Sequence, residues 1–370
     1  MNSAVTDIPV DVISCILSYL PVKSVVRFKC VSKSWHSLIS DPFFRKLHLL
    51  RSHKSANLVF VLQNPVKHYS YCDATFFDDT ISEDSTQIEL PFRRQLRLWD
   101  GVILCSCDGL LLVRDLYEQL ILLNPSTREH RVLPKVENYY SDSVSEGYDL
   151  GYDSSSDDYK LLLRRLGRNP EKRNKTTKDP MILSLKTNCW RKVEDLNYDR
   201  DIKNAINLNG FLHWLVLHNS SAPGKIVCFS FANETSTEME HPRNYDNYGL
   251  LNLGVLQGCL CLTETKHAAH STTVWIMKEF GVTSSWMKLI TIPQRPGNHA
   301  MNLTIPLPLN HMNRTVFLID DISRNPVDHM LIVNDTEAQD YRFVKIANVQ
   351  KYKFLTGLTF SRSLMSPNSI

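Results

Sequence analysis

The sequence predicts a mainly β fold carrying a small α-helical N-terminal module, with the β part arranged as a β-propeller-like ring. Three observations lead there. The first fifty of the 370 residues show helical apolar spacing. Everything after residue 55 breaks into short β-rich runs between Asn, Asp, Ser, Gly and Pro clusters. One strand–turn–strand pattern then returns with a period of about 50 residues.

In Asp7–Leu20, DIPVDVISCILSYL, the apolar residues Val12, Ile16 and Leu20 recur every fourth position, with Ile13 and Leu17 beside them. That spacing makes one stripe on a helix. Pro9 suits a first helical turn, and Pro21 stops the helix because it has no N–H to donate. A second short helix is expected over Val22–Lys29 and a third over Ser32–Ile39 with Trp35, Leu38 and Ile39 apolar. Asp41-Pro42 opens a further short helical segment with Phe43, Phe44 and Leu47. Short helices with so much apolar surface do not make a stable core alone. They must pack on the rest of the chain, on a partner, or on both.

The repeating units open at residues 120, 181, 226, 274 and 330, as LILLNPSTREHRVLP, MILSLKTNCWRKVED, IVCFSFANETSTEMEHP, VWIMKEFGVTSSWMKLITIP and MLIVNDTEAQDYRFVKI. A weaker sixth copy begins near Leu58. Several copies follow an X-Gly turn and an apolar strand: Asp108-Gly109, Asn209-Gly210 and Gln257-Gly258. A period of this length with four strands per unit is that of a kelch-like propeller of about six blades. A β-sandwich or barrel built of hairpins stays open as the alternative.

Composition narrows the function classes. A net charge of +3 is too small for nucleic-acid or membrane-surface binding by bulk electrostatics. Charge is uneven, with seven acids in Glu137–Asp158 and eight bases in Lys160–Lys178, which reads as a solvated face followed by a basic loop. Nine scattered cysteines suit a reducing compartment, cytoplasm or nucleus, better than a disulfide scaffold. The N-terminal stretch lacks the pattern of a secretory signal, and no run of about 18 apolar residues suggests a spanning helix.

Motifs of chemistry are weak. Cys105/Cys107 and Cys259/Cys261 have strand spacing, and zinc sites favour a wider one, so they read as core residues. His267 and His270 lie in a polar turn without further ligand types nearby. Nucleophile-elbow, zincin, Walker and dinucleotide motifs do not occur, and no cofactor is implied. Trp190, Trp214, Trp275 and Trp286 fall at equivalent places in the repeats and are expected to pack between blades rather than to stack a ligand. The basic stretch 167–178 reads as a long hairpin loop.

Over Ile8–Leu49 the sequence resembles a plant-type F-box, through the Ile-Pro start, Leu20-Pro21-Val22-Lys23-Ser24, Arg27-Phe28-Lys29-Cys30-Val31-Ser32-Lys33-Ser34-Trp35 and Asp41-Pro42-Phe43. The remainder resembles the F-box-associated interaction domain of the same plant family. The matching pieces are Asn124-Pro125-Ser126-Thr127-Arg128, Gly151-Tyr152-Asp153, Ser184–Asn188, Leu208-Asn209-Gly210 with His213-Trp214, and Val274–Glu279 with Ser285-Trp286. Two branches are similar, the immune-receptor regulators and the self-incompatibility proteins of pollen.

The resemblance implies an F-box in residues 1–50 and a substrate-recognition domain in 56–365. It implies a non-catalytic subunit of a Skp–cullin–F-box ubiquitin ligase. The F-box holds a Skp-type adaptor and through it cullin and RING subunits, and the β domain holds an unknown protein substrate. Carried over by position, the adaptor-facing residues are Ile8, Pro9, Val12, Ile16, Leu20, Pro21, Val25, Val26, Cys30, Val31 and Trp35. The mechanism implied is proximity, which needs no acid, base or nucleophile from this chain. Two other readings remain at this stage: a propeller enzyme or binding protein whose helices are a scaffold, and an F-box protein working outside any ligase.

Overall fold

The computed structural model describes residues 8–52, 57–63, 72–77, 102–115, 117–136, 145–168, 175–194, 196, 205–216, 225–242, 250–256, 258–266, 271–293, 301–307, 314–321, 328–335, 340–345 and 354–369. Four helices come first: α1 (Val10–Ser18), α2 (Val22–Phe28), α3 (Lys33–Ser40) and α4 (Pro42–Ser52). Pro9 precedes α1 and Pro21 precedes α2, each where a missing N–H leaves nothing unsatisfied. Ser32 caps α3 by accepting from the Trp35 N–H at 3.1 Å. Asp41 does the same for α4 through the Phe44 N–H at 3.0 Å. The fourth helix, expected as a short segment, has 11 residues and is the longest of the four.

Among the described residues, strands follow, with one 3-10 turn at Thr283–Ser285: β1 (Asn57–Gln63), β2 (Cys72–Phe77), β3 (Val102–Cys107), β4 (Leu110–Arg114), β5 (Leu120–Asn124), β6 (Glu129–Val132), β7 (Ser145–Asp153), β8 (Asp158–Arg168), β9 (Lys175–Ser184) and β10 (Cys189–Lys192). They continue with β11 (Ile206–Leu208), β12 (Phe211–Val216), β13 (Lys225–Ser230), β14 (Ser236–Met239), β15 (Leu250–Leu256), β16 (Cys259–Lys266), β17 (Ser271–Met277) and β18 (Trp286–Pro293). The last are β19 (Met301–Leu307), β20 (Arg314–Asp321), β21 (Asp328–Asp335), β22 (Asp340–Lys345) and β23 (Phe354–Phe360).

These strands form six antiparallel sheets, five of four strands and one of three, ordered β2-β1-β23. The first strands of neighbouring sheets approach one another, β3 with β7 and β23, β15 with β11 and β19, and β19 with β23. That arrangement is a ring of blades whose first strands line the axis, a propeller. The ring closes where β23 pairs with β1, Asn57 opposite Phe360 through Gln63 opposite Phe354. Closure of this kind leaves no exposed sheet edge at the axis.

The five repeats seen in the sequence are the third and fourth strands of the five complete blades. The hairpins of the first three of these blades share one device. Arg128, Asn188 and Glu234 adopt positive φ, and their N–H groups bond the carbonyls of Asn124, Ser184 and Ser230 at 2.9, 2.8 and 2.8 Å. The side chains of those same three residues accept from N–H groups inside the turn. The sixth copy differs. Its strands β1 and β2 lie outward of β23, β1 paired with β23 and β2 with β1, and are not a third and fourth pair.

The charge runs are not a solvated face followed by a loop. Where described, the acidic run forms β7, paired with β8, and the basic run spans β8 and the start of β9, so 167–168 and 175–178, expected in a long loop, are on strands. Arg164 donates to the Asp149 carboxylate at 2.6 Å, Lys160 meets Asp153 at 2.8 Å and Arg165 meets Glu146 at 3.3 Å. Asp149, Asp153, Asp158 and Arg164 are all buried. Buried charges need partners, and the pairing supplies them. The hairpin tip at 169–174 and the pair His267 and His270 lie outside the described residues.

Candidate functional site: an exposed apolar face on the helical module

The helices pack a core from Leu17, Val22, Val25, Ile39 and Phe44, joined by Leu364 from beyond the last strand, with Ile13, Leu20, Val26, Phe28, Trp35 and Leu38 half-buried against it. Phe28 and Trp35 meet edge to face at 5.6 Å. The module sits on the propeller face that carries the hairpins between first and second and between third and fourth strands. Arg45 and Lys29 share the Glu129 carboxylate at 3.5 and 4.0 Å, and Lys46 pairs with Asp157. Leu49 enters the core of the blades β3–β6 and β7–β10. Burial, with the neighbouring Arg45 charge, pulls the Lys29 pKa down against the opposing pull of Glu129.

One apolar face is left uncovered. Ile8, Val12, Ile16 and Val31 are 59, 46, 54 and 60% exposed. Val10, Tyr19, Phe43 and Leu50 are exposed as well. Val12, Ile16 and Tyr19 fall on one side of α1, by the i, i+4, i+7 rule. Pro9, Pro21 and Cys30 are exposed and Leu20, Val26 and Trp35 half-buried, at the edge of the same module. A run of large exposed apolar residues is the mark of an interaction surface, not of an ordinary solvated helix.

Val25 requires a correction. It is 0% exposed and sits in the centre of the helical cluster, so it faces inward. On α2, Val22 and Val25 share the buried side because they are three residues apart. Sequence reasoning missed Tyr19, which carries the same stripe one turn further, and also the exposed Val10 on another side of α1 and Phe43 and Leu50 on α4.

The corner between α1 and α2 is held from behind. His48 on α4, itself buried, donates from Nε2 to the Leu20 carbonyl at 2.8 Å. Burial lowers the His48 pKa, and the bond to Leu20 opposes that only in part. Arg51 lies over the Tyr19 ring at 4.5 Å and donates to Ser18, fixing the C-terminus of α1.

The other candidates fall to structure. Cys107 and Cys261 are buried in blade cores, with Cys105 and Cys259 packed beside them. Burial raises the thiol pKa of Cys105, Cys107 and Cys261, which disfavours the thiolate needed for metal or nucleophile chemistry. Among the described residues no group of three or more His, Cys, Asp and Glu is placed to hold a metal. Of the tryptophans, only Trp190 and Trp286 are equivalent. Each opens toward the preceding blade, its indole N–H donating to Pro134 O at 2.9 Å and Glu240 O at 3.3 Å. Trp214 is fully buried in the core between β7–β10 and β11–β14, and Trp275 packs in the core between β11–β14 and β15–β18.

Comparison with known proteins decides the family. Residues 5–47 match the F-box domain, and residues 59–366 match the F-box associated beta propeller domain. The chain belongs to the F-box proteins with an associated β-propeller. F-box protein CPR1 of Arabidopsis thaliana is 29% identical over 339 residues, covering 84% of this chain and 79% of the relative. An F-box/kelch-repeat protein of the same plant is 28% identical over 304 residues, covering 78% and 80%. F-box proteins are in general adaptor subunits of Skp–cullin–F-box ligases rather than catalysts. In this F-box protein, the exposed apolar face lies on the F-box and the rest of the chain is the propeller.

Proposed function

We propose that this chain is the substrate-recognition subunit of a Skp–cullin–F-box ubiquitin ligase. The exposed face of α1–α3 docks a Skp-type adaptor, which brings cullin and RING subunits. The propeller holds a protein target beside the charged ubiquitin-conjugating enzyme, in the cytoplasm or nucleus. The chain contributes position and no chemistry, raising the effective concentration of a target lysine at the ubiquitin thioester.

One observation carries this reading. Ile8, Val12, Ile16 and Val31 stay in water although the helices already pack a buried core beneath them. Burying the exposed half of four such side chains is worth on the order of 3–6 kcal/mol before association costs. The test is co-purification of the full chain with a recombinant Skp-type adaptor, followed by reconstitution with cullin and RING subunits. Loss of the adaptor on deleting residues 1–50 is expected. Adaptor binding that survives the deletion overturns the proposal.

A further inference from the structure

The segment that follows β23 belongs to both halves of the molecule. Ser363, Leu364, Met365 and Ser366 are all buried, and adjacent side chains enter different cores. Leu364 joins the helical cluster of Leu17, Val22, Val25, Ile39 and Phe44. Met365 enters the core of the blades β3–β6 and β7–β10, where it meets the cluster containing Leu49 of α4. In an extended chain successive side chains point to opposite sides, so one short segment can plug two cores.

The segment is clamped by blade residues. The Asn124 amide donates to the carbonyls of Ser363 and Met365 at 3.0 and 2.7 Å. The Met365 N–H donates to the Ser363 hydroxyl at 3.2 Å. Gly109 admits the strand beside it: a Cβ there would stand 2.5 Å from the Ser361 carbonyl oxygen and closer still to the Ser363 hydroxyl. Helices of 7 to 11 residues have little stability without tertiary packing. A sixth of their small buried core comes from Leu364.

We propose that the F-box adopts its adaptor-binding shape only when Leu364 is seated, which makes adaptor docking conditional on closure of the propeller ring. The inference rests on the adaptor reading of the helical face. Residue 361 directly follows β23, the strand whose pairing with β1 closes the ring. The plug therefore reaches its clamp only from a β23 already in register. A chain whose ring is open carries helices without their full core, and its apparent adaptor affinity drops with the fraction of assembled module. The F-box is synthesised first but becomes competent last.

The test uses the full 370-residue chain as wild type, Leu364→Ala and Leu364→Met. Adaptor affinity and amide hydrogen exchange are measured on each. Leu364→Ala should weaken the adaptor about tenfold or more and speed exchange in α2 and α3, with β8 amides unchanged. Leu364→Met, which conserves volume, should restore both. Wild-type affinity and wild-type exchange in Leu364→Ala would overturn the proposal. Equal loss of protection in β8 would overturn it too, since it would signify general unfolding. A wild-type chain that binds no adaptor sinks the functional reading instead, and the exchange comparison still decides the coupling.

Discussion

His48 Nε2 stands 2.8 Å from the carbonyl oxygen of Leu20, tying α4 to the corner between the first two helices. A carbonyl only accepts, so the proton is on Nε2. His48→Leu removes the donor and leaves that carbonyl without it, at an expected cost of about 1–3 kcal/mol. Urea unfolding should show the loss. Adaptor affinity should fall with it, because Leu20 and Pro21 form the corner beside the exposed stripe. An unchanged midpoint would mean that water replaces the donor.

Acid should weaken the fold through two histidines. Burial lowers the His48 pKa and pushes that of His213 down to about 4. An unfolded histidine titrates near 6.5. Each folded pKa lies below the unfolded one, so the unfolded state takes up protons first. The stability these groups contribute is complete above about pH 6.5 and falls as pH drops toward the folded value. Between pH 7.5 and 5.5 His213 should cost about 1 kcal/mol, and His48 acts in the same direction. His213→Phe should flatten part of that slope in urea titrations at the two pH values.

Exposed and buried valines on neighbouring elements should behave oppositely. Val12→Asp with Val31→Asp places charges on side chains already in water, so the melting temperature should hold within about 2 °C while adaptor capture is lost. Val25→Asp buries a charge in the helical core and should unfold the module. Thermal melts paired with pull-down separate the two. Capture retained by the double variant would place the adaptor elsewhere.

Two glycines with the same backbone should differ in cost. Gly109 and Gly258 have φ of 78° and 73°, so alanine is strained at either. At Gly258 a Cβ meets open space, whereas at Gly109 it strikes the segment around Ser361 and Ser363. Gly258→Ala should cost about 1 kcal/mol and Gly109→Ala clearly more. Denaturation midpoints of the two variants provide the comparison.

Trp190→Phe keeps an aromatic ring between blades but removes the N–H that reaches Pro134. A loss of about 1 kcal/mol is expected. No change in the unfolding midpoint would show that the ring alone carries the contact.

What could be read from the residues depended on how local the cause was. The hairpins after Asn124, Ser184 and Ser230 are set by their own turn residues, so those three outer strand pairs were legible. The first strands were harder. β7 carries Glu146, Asp149 and Asp153, which read as solvated until Arg165, Arg164 and Lys160 arrive from the partner strand. The apolar stripe Val12–Ile16 was legible from spacing, while the inward turn of Val25 depends on where α3 and α4 pack. Leu364 was invisible: a single leucine in a Ser-rich stretch has no period, and its pocket is made by helices at the other end of the chain.

The antiparallel seam between β1 and β23 puts Asn57 directly opposite Phe360. Tension pulling those two points apart would load the rungs of that seam one after another, like a zipper, rather than all at once as in shear. The sheet that seals the ring is therefore also its mechanical weak point. An unfoldase gripping either flank would open the molecule there before any four-stranded blade gives way.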